Sequence, residues 1–190
     1  MKHGPTRYFT PLLLAAPLLL GACDDPFAAQ PWDASPDTLT LYSASRAEYT
    51  GMRSALDLWN IATVPIEVQG ATGQWDFLLT EEGGQLVLIS ANVVPNLESR
   101  AAIATTDATT LEELTRASGD SDDYVRTAVP LRLGAVYVAR SRRLSCGFVN
   151  GSRYGKMKVT ALDAARGIVE LAVVRNPYCD DRDLVPPEED

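Results

Sequence analysis

Histidine is almost missing from this chain. The single copy, His3, stands among the first three of 190 residues. Histidine-dependent nucleophile triads, histidine-containing zinc sites and imidazole proton shuttles therefore have nothing to work with beyond that point. A carboxylate pair or a Ser–Lys hydrolase stays chemically open. Lysine is nearly as scarce, with only Lys2, Lys156 and Lys158. Positive charge is in deficit overall: 17 Lys and Arg stand against 25 Asp and Glu, a net charge of −8. That balance argues against nucleic acid as a partner and against a polybasic membrane patch, both of which need clustered cations. No Gly-rich phosphate loop, serine nucleophile elbow, metal-ligand cluster or other cofactor motif is visible. The GATG at 70–73 lacks a following Lys and reads as a turn. Long apolar runs are absent too. Phe9 to Ala22 gives fourteen uncharged residues, short of the roughly 20 that cross a bilayer as a helix.

What is present begins with Lys2 and Arg7 ahead of that run, which Pro11 and Pro17 interrupt. Prolines weaken a permanent helical span. A short basic start, a compact apolar stretch and small residues at its end describe an export signal over residues 1–22, later removed. The competing readings are an N-terminal anchor or a buried helix. Leu20-Gly21-Ala22-Cys23 resembles the lipobox of bacterial lipoproteins. The resemblance implies a diacylglyceryl thioether on Cys23, cleavage just before it, and an acylated new N-terminus. Several acyl chains anchor stably where one does so marginally. A lipid bilayer is then the expected partner through Cys23, and the cell envelope the expected location, on the outer or the inner membrane. Asp24 resembles an inner-membrane retention signal of enteric bacteria, a rule that differs between bacterial groups. The remaining chain is similar to small envelope lipoproteins, a resemblance that carries no activity.

Removing residues 1–22 leaves 168 residues, enough for one domain with a core of its own. Lys2 and Arg7 leave with the signal, so 15 basic residues face 25 acidic ones and the net charge becomes −10. With Cys23 lipidated, Cys146 and Cys179 remain as one disulfide expected in an oxidising compartment. Two buried free thiols are the alternative. The bridge would close a loop of about 34 residues and, on the chain-entropy model, add roughly 3–4 kcal/mol.

The pattern beyond Cys23 predicts a mostly β fold: an antiparallel sandwich or partly open barrel with one or two short helices. Residues 23–37 form a tether rich in Pro, Asp and Ala that should be poorly ordered, although Phe27 and Trp32 suit an edge contact with the domain. A single domain is expected over 38–179. Its first strand lies at 38–43, with Leu39 and Leu41 on one face. A short helix is expected over 52–59, placing Trp59 in the core, and a strand around Ile66 to Val68. A clear hairpin joins 75–80 to 85–90 through Gly83 and Gly84. Asp76 within it suits an edge or a rim better than catalysis. RAAIAT, from Arg100 to Thr105, is a weaker strand, and Thr109 to Ala117 a further short helix. The acidic loop 118–123 has ligand chemistry for calcium, but not the spacing of the known helix–loop–helix motif. Residues 128–143 suggest one long central strand. A second hairpin joins 156–162 to 167–174, with inward rows Met157, Val159, Ala161 and Val169, Leu171, Val173. The acidic, Pro-rich tail 180–190 should be little packed.

The remaining candidates for a site are arginines. Arg132, Arg140, Arg142 and Arg143 fall in or just after the central strand, with Arg153 and Arg175 expected in the same sheet. Such a group could meet an anionic sugar, a phosphate or an acidic patch on an envelope protein. Alternatively it pairs internally with Asp180, Asp181 and Asp183. Two function classes follow. One is a non-catalytic binding or structural module of the envelope. The other is a carboxylate-based hydrolase of glycans, which needs two acids facing across a cleft.

Overall fold

The computed structural model describes residues 32–95, 97 and 99–187. The leader, Cys23, Phe27 and most of the tether lie outside them. Two-residue alternation of apolar side chains governs the described chain, which holds β1 (Asp37–Tyr42), β2 (Ala55–Asp57), β3 (Ala62–Val64), β4 (Phe77–Glu82), β5 (Gln85–Ser90), β6 (Ala102–Thr105), β7 (Val129–Pro130), β8 (Val136–Arg140), β9 (Leu144–Cys146), β10 (Val149–Gly151), β11 (Tyr154–Asp163) and β12 (Ile168–Arg175). One antiparallel sheet has the order β1-β12-β11-β8-β6 and the other β3-β2-β4-β5-β7; β9 and β10 form a separate hairpin. Leu41, Met157, Val159 and Leu171 from the first sheet meet Leu56, Phe77, Leu79 and Leu88 from the second in one fully buried core. The result is a β-sandwich, and neither sheet closes into a barrel.

Both predicted hairpins form. β4 and β5 pair from Phe77↔Ser90 to Glu82↔Gln85. Gly83 and Gly84 between them have φ of +57° and +81°, the left-handed values that a tight two-residue turn requires at both positions. β11 and β12 pair with a register shift between Val159 and Ala161. The bulge hands the inward position from Ala161 to Leu162, which packs on the core instead. The long strand expected over 128–143 is two strands in different sheets. The chain turns at Gly134, with φ of +80°, so β7 joins the second sheet and β8 the first. β8 is central, between β11 and β6.

Neither predicted helix forms, and the reason is the same in both cases: the backbone groups have partners elsewhere. In 52–59 the amides of Leu58 and Trp59 are given to the Asp76 carboxylate, while Ala55 to Asp57 pair with β3. Trp59 is buried as expected. In 109–117 the amide of Ala117 goes to the Arg182 carbonyl, and the Thr115 carbonyl accepts from Leu184. Lys156 donates to the Leu114 carbonyl and Lys158 to that of Thr109. Short 3-10 turns occur at Ala47–Tyr49, Ala91–Val93 and Ser121–Asp123 instead. The strand expected near Ile66 lies earlier, as β3. The tail also differs from expectation, because Leu184 is buried in a cluster with Tyr124 and Val138. The hydrogen bond from its amide to the Thr115 carbonyl holds it there. Trp32 does sit on the domain edge, its ring edge-on to Tyr178 at 6.3 Å.

Candidate functional site

Asp76 is completely buried, not at a rim. It follows Trp75 and stands immediately before β4. Its Oδ2 accepts from the amide of Leu58 at 2.7 Å and from the Arg142 guanidinium at 3.0 Å. Its Oδ1 accepts from the amide of Arg142 at 2.6 Å. The same Arg142 nitrogen donates to Asp57 at 2.9 Å, and Asp57 also holds the side-chain amide of Asn60 at 2.7 Å. One guanidinium thus bridges two carboxylates between the sheets. Burial pushes the Asp76 carboxyl up to about 6, against the opposing pull of Arg142. The Arg142 guanidinium is held above its ordinary range by both acids, despite its own burial.

The four arginines expected to form one group are dispersed. Arg142 belongs to the buried triad. Arg140 lies over the Tyr124 ring at 4.9 Å and donates to the Arg100 carbonyl at 3.1 Å. Arg132 lines a separate depression with Thr105, Asp107 and Tyr137. Arg143, exposed just before β9, holds the Asn150 carbonyl. None of the four pairs with Asp180, Asp181 or Asp183. Those acids are used locally: Asp180 accepts the amide of Ser152, Asp181 the side chain of Asn176, and Asp183 pairs with Arg116. Arg153 stacks over Trp59 at 4.3 Å, and both it and Arg175 donate to the Trp59 carbonyl. Burial, then repulsion from Arg175, lowers the Arg153 guanidinium to about 10.

Arg143 instead meets two arginines from distant segments. A depression of about 400 Å³ is lined by Arg100, Arg126 and Arg143 with Asn92, Leu97 and Ser99. Leu97, Ser99 and Arg143 are shared with a second cavity of about 180 Å³ whose wall includes Trp75, Ala91 and Leu144. The two make one groove, with all three arginines at one end and, at the other, an apolar wall of Trp75, Ala91 and Leu144 beside Arg142 and Arg143. The triad lies behind its apolar end, since Arg142 also lines that cavity. Arg126 is brought in by the bridge between Ile103 and Val125, and Arg100 by the bond from Arg140. Among the described residues, no carboxylate lines the cationic end or forms an ion pair with any of these three arginines. The groove offers three guanidinium groups, a hydroxyl from Ser99 and an apolar wall. It can hold an anion with an attached ring or alkyl portion.

Arg100 and Arg126 were not singled out in the sequence, and no local signal marks them. Asp57 and Asp76 left a faint one: each is a lone acid in an apolar stretch. The acidic loop 118–123 folds on itself, Asp120 accepting from the amide of Asp122 and Ser118 bonding Asp123. No group of three or more metal-ligating side chains stands together among the described residues. Comparison with known proteins adds no name to the groove: no protein-family model matches the chain, and no curated protein matches it in sequence.

Proposed function

We propose that this chain is a lipid-anchored protein of the bacterial cell envelope whose β-sandwich binds an anionic ligand, an acidic glycan above all, in the arginine groove. The observation that carries this reading is the convergence of Arg100, Arg126 and Arg143 on one groove without a carboxylate partner among the described residues. In a chain of net charge −10 after signal removal, unpaired arginines have many acids available, so three left together suit an external anion. The lipobox at Leu20 to Cys23 supports the envelope location, and the Cys146–Cys179 bridge suits an oxidising compartment. A polar groove with one apolar wall is what a sugar acid presents in complement: carboxylate or sulfate on one side, ring carbons on another.

Support for binding over glycan hydrolysis comes from Asp57 and Asp76. These closely placed acids are both buried and share one guanidinium nitrogen, whereas a hydrolytic pair must face its substrate across a cleft. The test is titration with dextran sulfate and polygalacturonate, with neutral dextran as the control. Arg126→Gln and Arg143→Gln should each weaken binding by about tenfold, the loss of one charge-assisted contact, and binding should fall with added salt. Arg166→Gln, at an exposed site paired only with Asp163, should leave it unchanged. Equal affinity in all variants would reject the groove as the site. The envelope anchor is tested separately by Cys23→Ser, which should release the protein from membranes.

A further inference from the structure

The β9–β10 hairpin ends on apolar side chains that none of the described residues covers. Phe148 is 98 % exposed and Val149 66 % exposed. Val149 pairs with Cys146, which leaves Gly147 and Phe148 as the two turn residues, and Gly147 takes the left-handed φ of +78° that the first position of such a turn favours. This hairpin is fixed to the domain twice, beside its turn at Cys146 and past its base at Ser152. Cys146 is bonded to Cys179 with their Cα atoms 6.3 Å apart, and Ser152 exchanges bonds with Asp180: the amide of Asp180 to the Ser152 carbonyl at 2.7 Å, and the amide of Ser152 to the Asp180 carboxylate at 2.9 Å. Phe148 is therefore a large apolar group held out into water on a short, clamped projection.

The chain enters the domain at the same end. Trp32, the first described residue, rests on Tyr178, and Tyr178 is the neighbour of Cys179, which is bonded beside the hairpin turn. Cys23 is nine residues before Trp32, so even fully extended chain spans at most about 30 Å between them. The hairpin tip reaches only about 7 Å beyond the disulfide, at roughly 3.3 Å per residue. An acylated Cys23 would tether this end of the domain within that distance of the bilayer.

We infer that Phe148 and Val149 insert into the lipid interface as a second contact beside the acyl chains of Cys23, fixing the orientation of the domain on the membrane. This rests on the lipid-anchor reading above. Alone, one inserted phenylalanine would bind too weakly to hold a protein on a bilayer. Linked through a short segment to an anchor already in the membrane, it acts at an effective concentration in the millimolar range, where weak insertion suffices.

The experiment uses the full-length lipidated protein reconstituted in vesicles of phosphatidylethanolamine and phosphatidylglycerol. In the Phe148→Trp variant, the emission added over wild type should shift to shorter wavelength and be lost when the acyl chains are brominated. In Phe148→Trp carrying Val149→Asp, that shift and that quenching should both weaken, while the protein stays on the vesicles through its acyl chains. Water-like, unquenched emission from vesicle-bound Phe148→Trp overturns the inference and leaves the anchor standing. A blue shift without bromine quenching, present only when envelope proteins are added, assigns the tip to a protein partner and overturns it equally. The anchor itself is judged apart, by whether Cys23→Ser leaves the membrane fraction.

Discussion

At the scale of single residues, Asp76 illustrates how a buried charge is tolerated. Isolated in the interior it would be costly, and even a paired charge recovers its desolvation only with good geometry and its other lone pairs filled. Two backbone amides at 2.6–2.7 Å and the Arg142 guanidinium meet that condition. Asp76→Asn leaves Arg142 with Asp57 alone and turns a donor toward backbone amides. It should cost about 3–5 kcal/mol, measured by urea unfolding. The pH dependence has a definite sign. Burial raises this carboxyl from the ordinary 3.8 to about 6, so between those values the native state keeps a proton that the unfolded chain has lost. Stability from this group increases as pH falls from about 6 toward 4 and is lost on the way back up. The unfolding free energy of wild type relative to Asp76→Asn should grow on acidification through that window. A constant difference would mean that the donors keep Asp76 ionised throughout.

At the scale of elements, the hairpins were legible and the helices were not. Gly83 and Gly84 between two alternating runs, like the turn from Asp163 to Arg166, encode their geometry in adjacent residues. The segments 52–59 and 109–117 carry helix-compatible spacing, yet their backbone groups are claimed by Asp76, by 182–184 and by two lysines. Residues far away in sequence decided both. The disulfide was readable from cysteine count, and its contribution is testable. The double variant Cys146→Ser with Cys179→Ser should unfold at a free energy lower by roughly 3–4 kcal/mol. Gly151 adds a steric condition to the same element. A Cβ there would stand 2.9 Å from both the Cys179 Cβ and a carboxylate oxygen of Asp180. Gly151→Ala should therefore cost about 1–3 kcal/mol through overpacking, read by the same unfolding assay.

At the scale of the whole molecule, an acidic chain gathers three arginines, without a carboxylate partner among the described residues, in one groove and an aromatic tip at the end where its chain enters. Several features are properties of residues close together, and the sequence by itself determined them. They are the β class, from two-residue alternation; the tight turns, from glycines that accept positive φ; the scarcity of imidazole, from composition; and the likeness to a lipobox, from four adjacent residues. Only the tertiary structure decided that Arg142 serves Asp57 and Asp76, which lie 85 and 66 positions away. It likewise decided that Arg143 meets Arg100 and Arg126 while Arg132 and Arg140 turn elsewhere. Which side chains converge depends on how the two sheets stack and which loops their ends bring together. That information is carried by long-range packing, and no local spacing of arginines reports it.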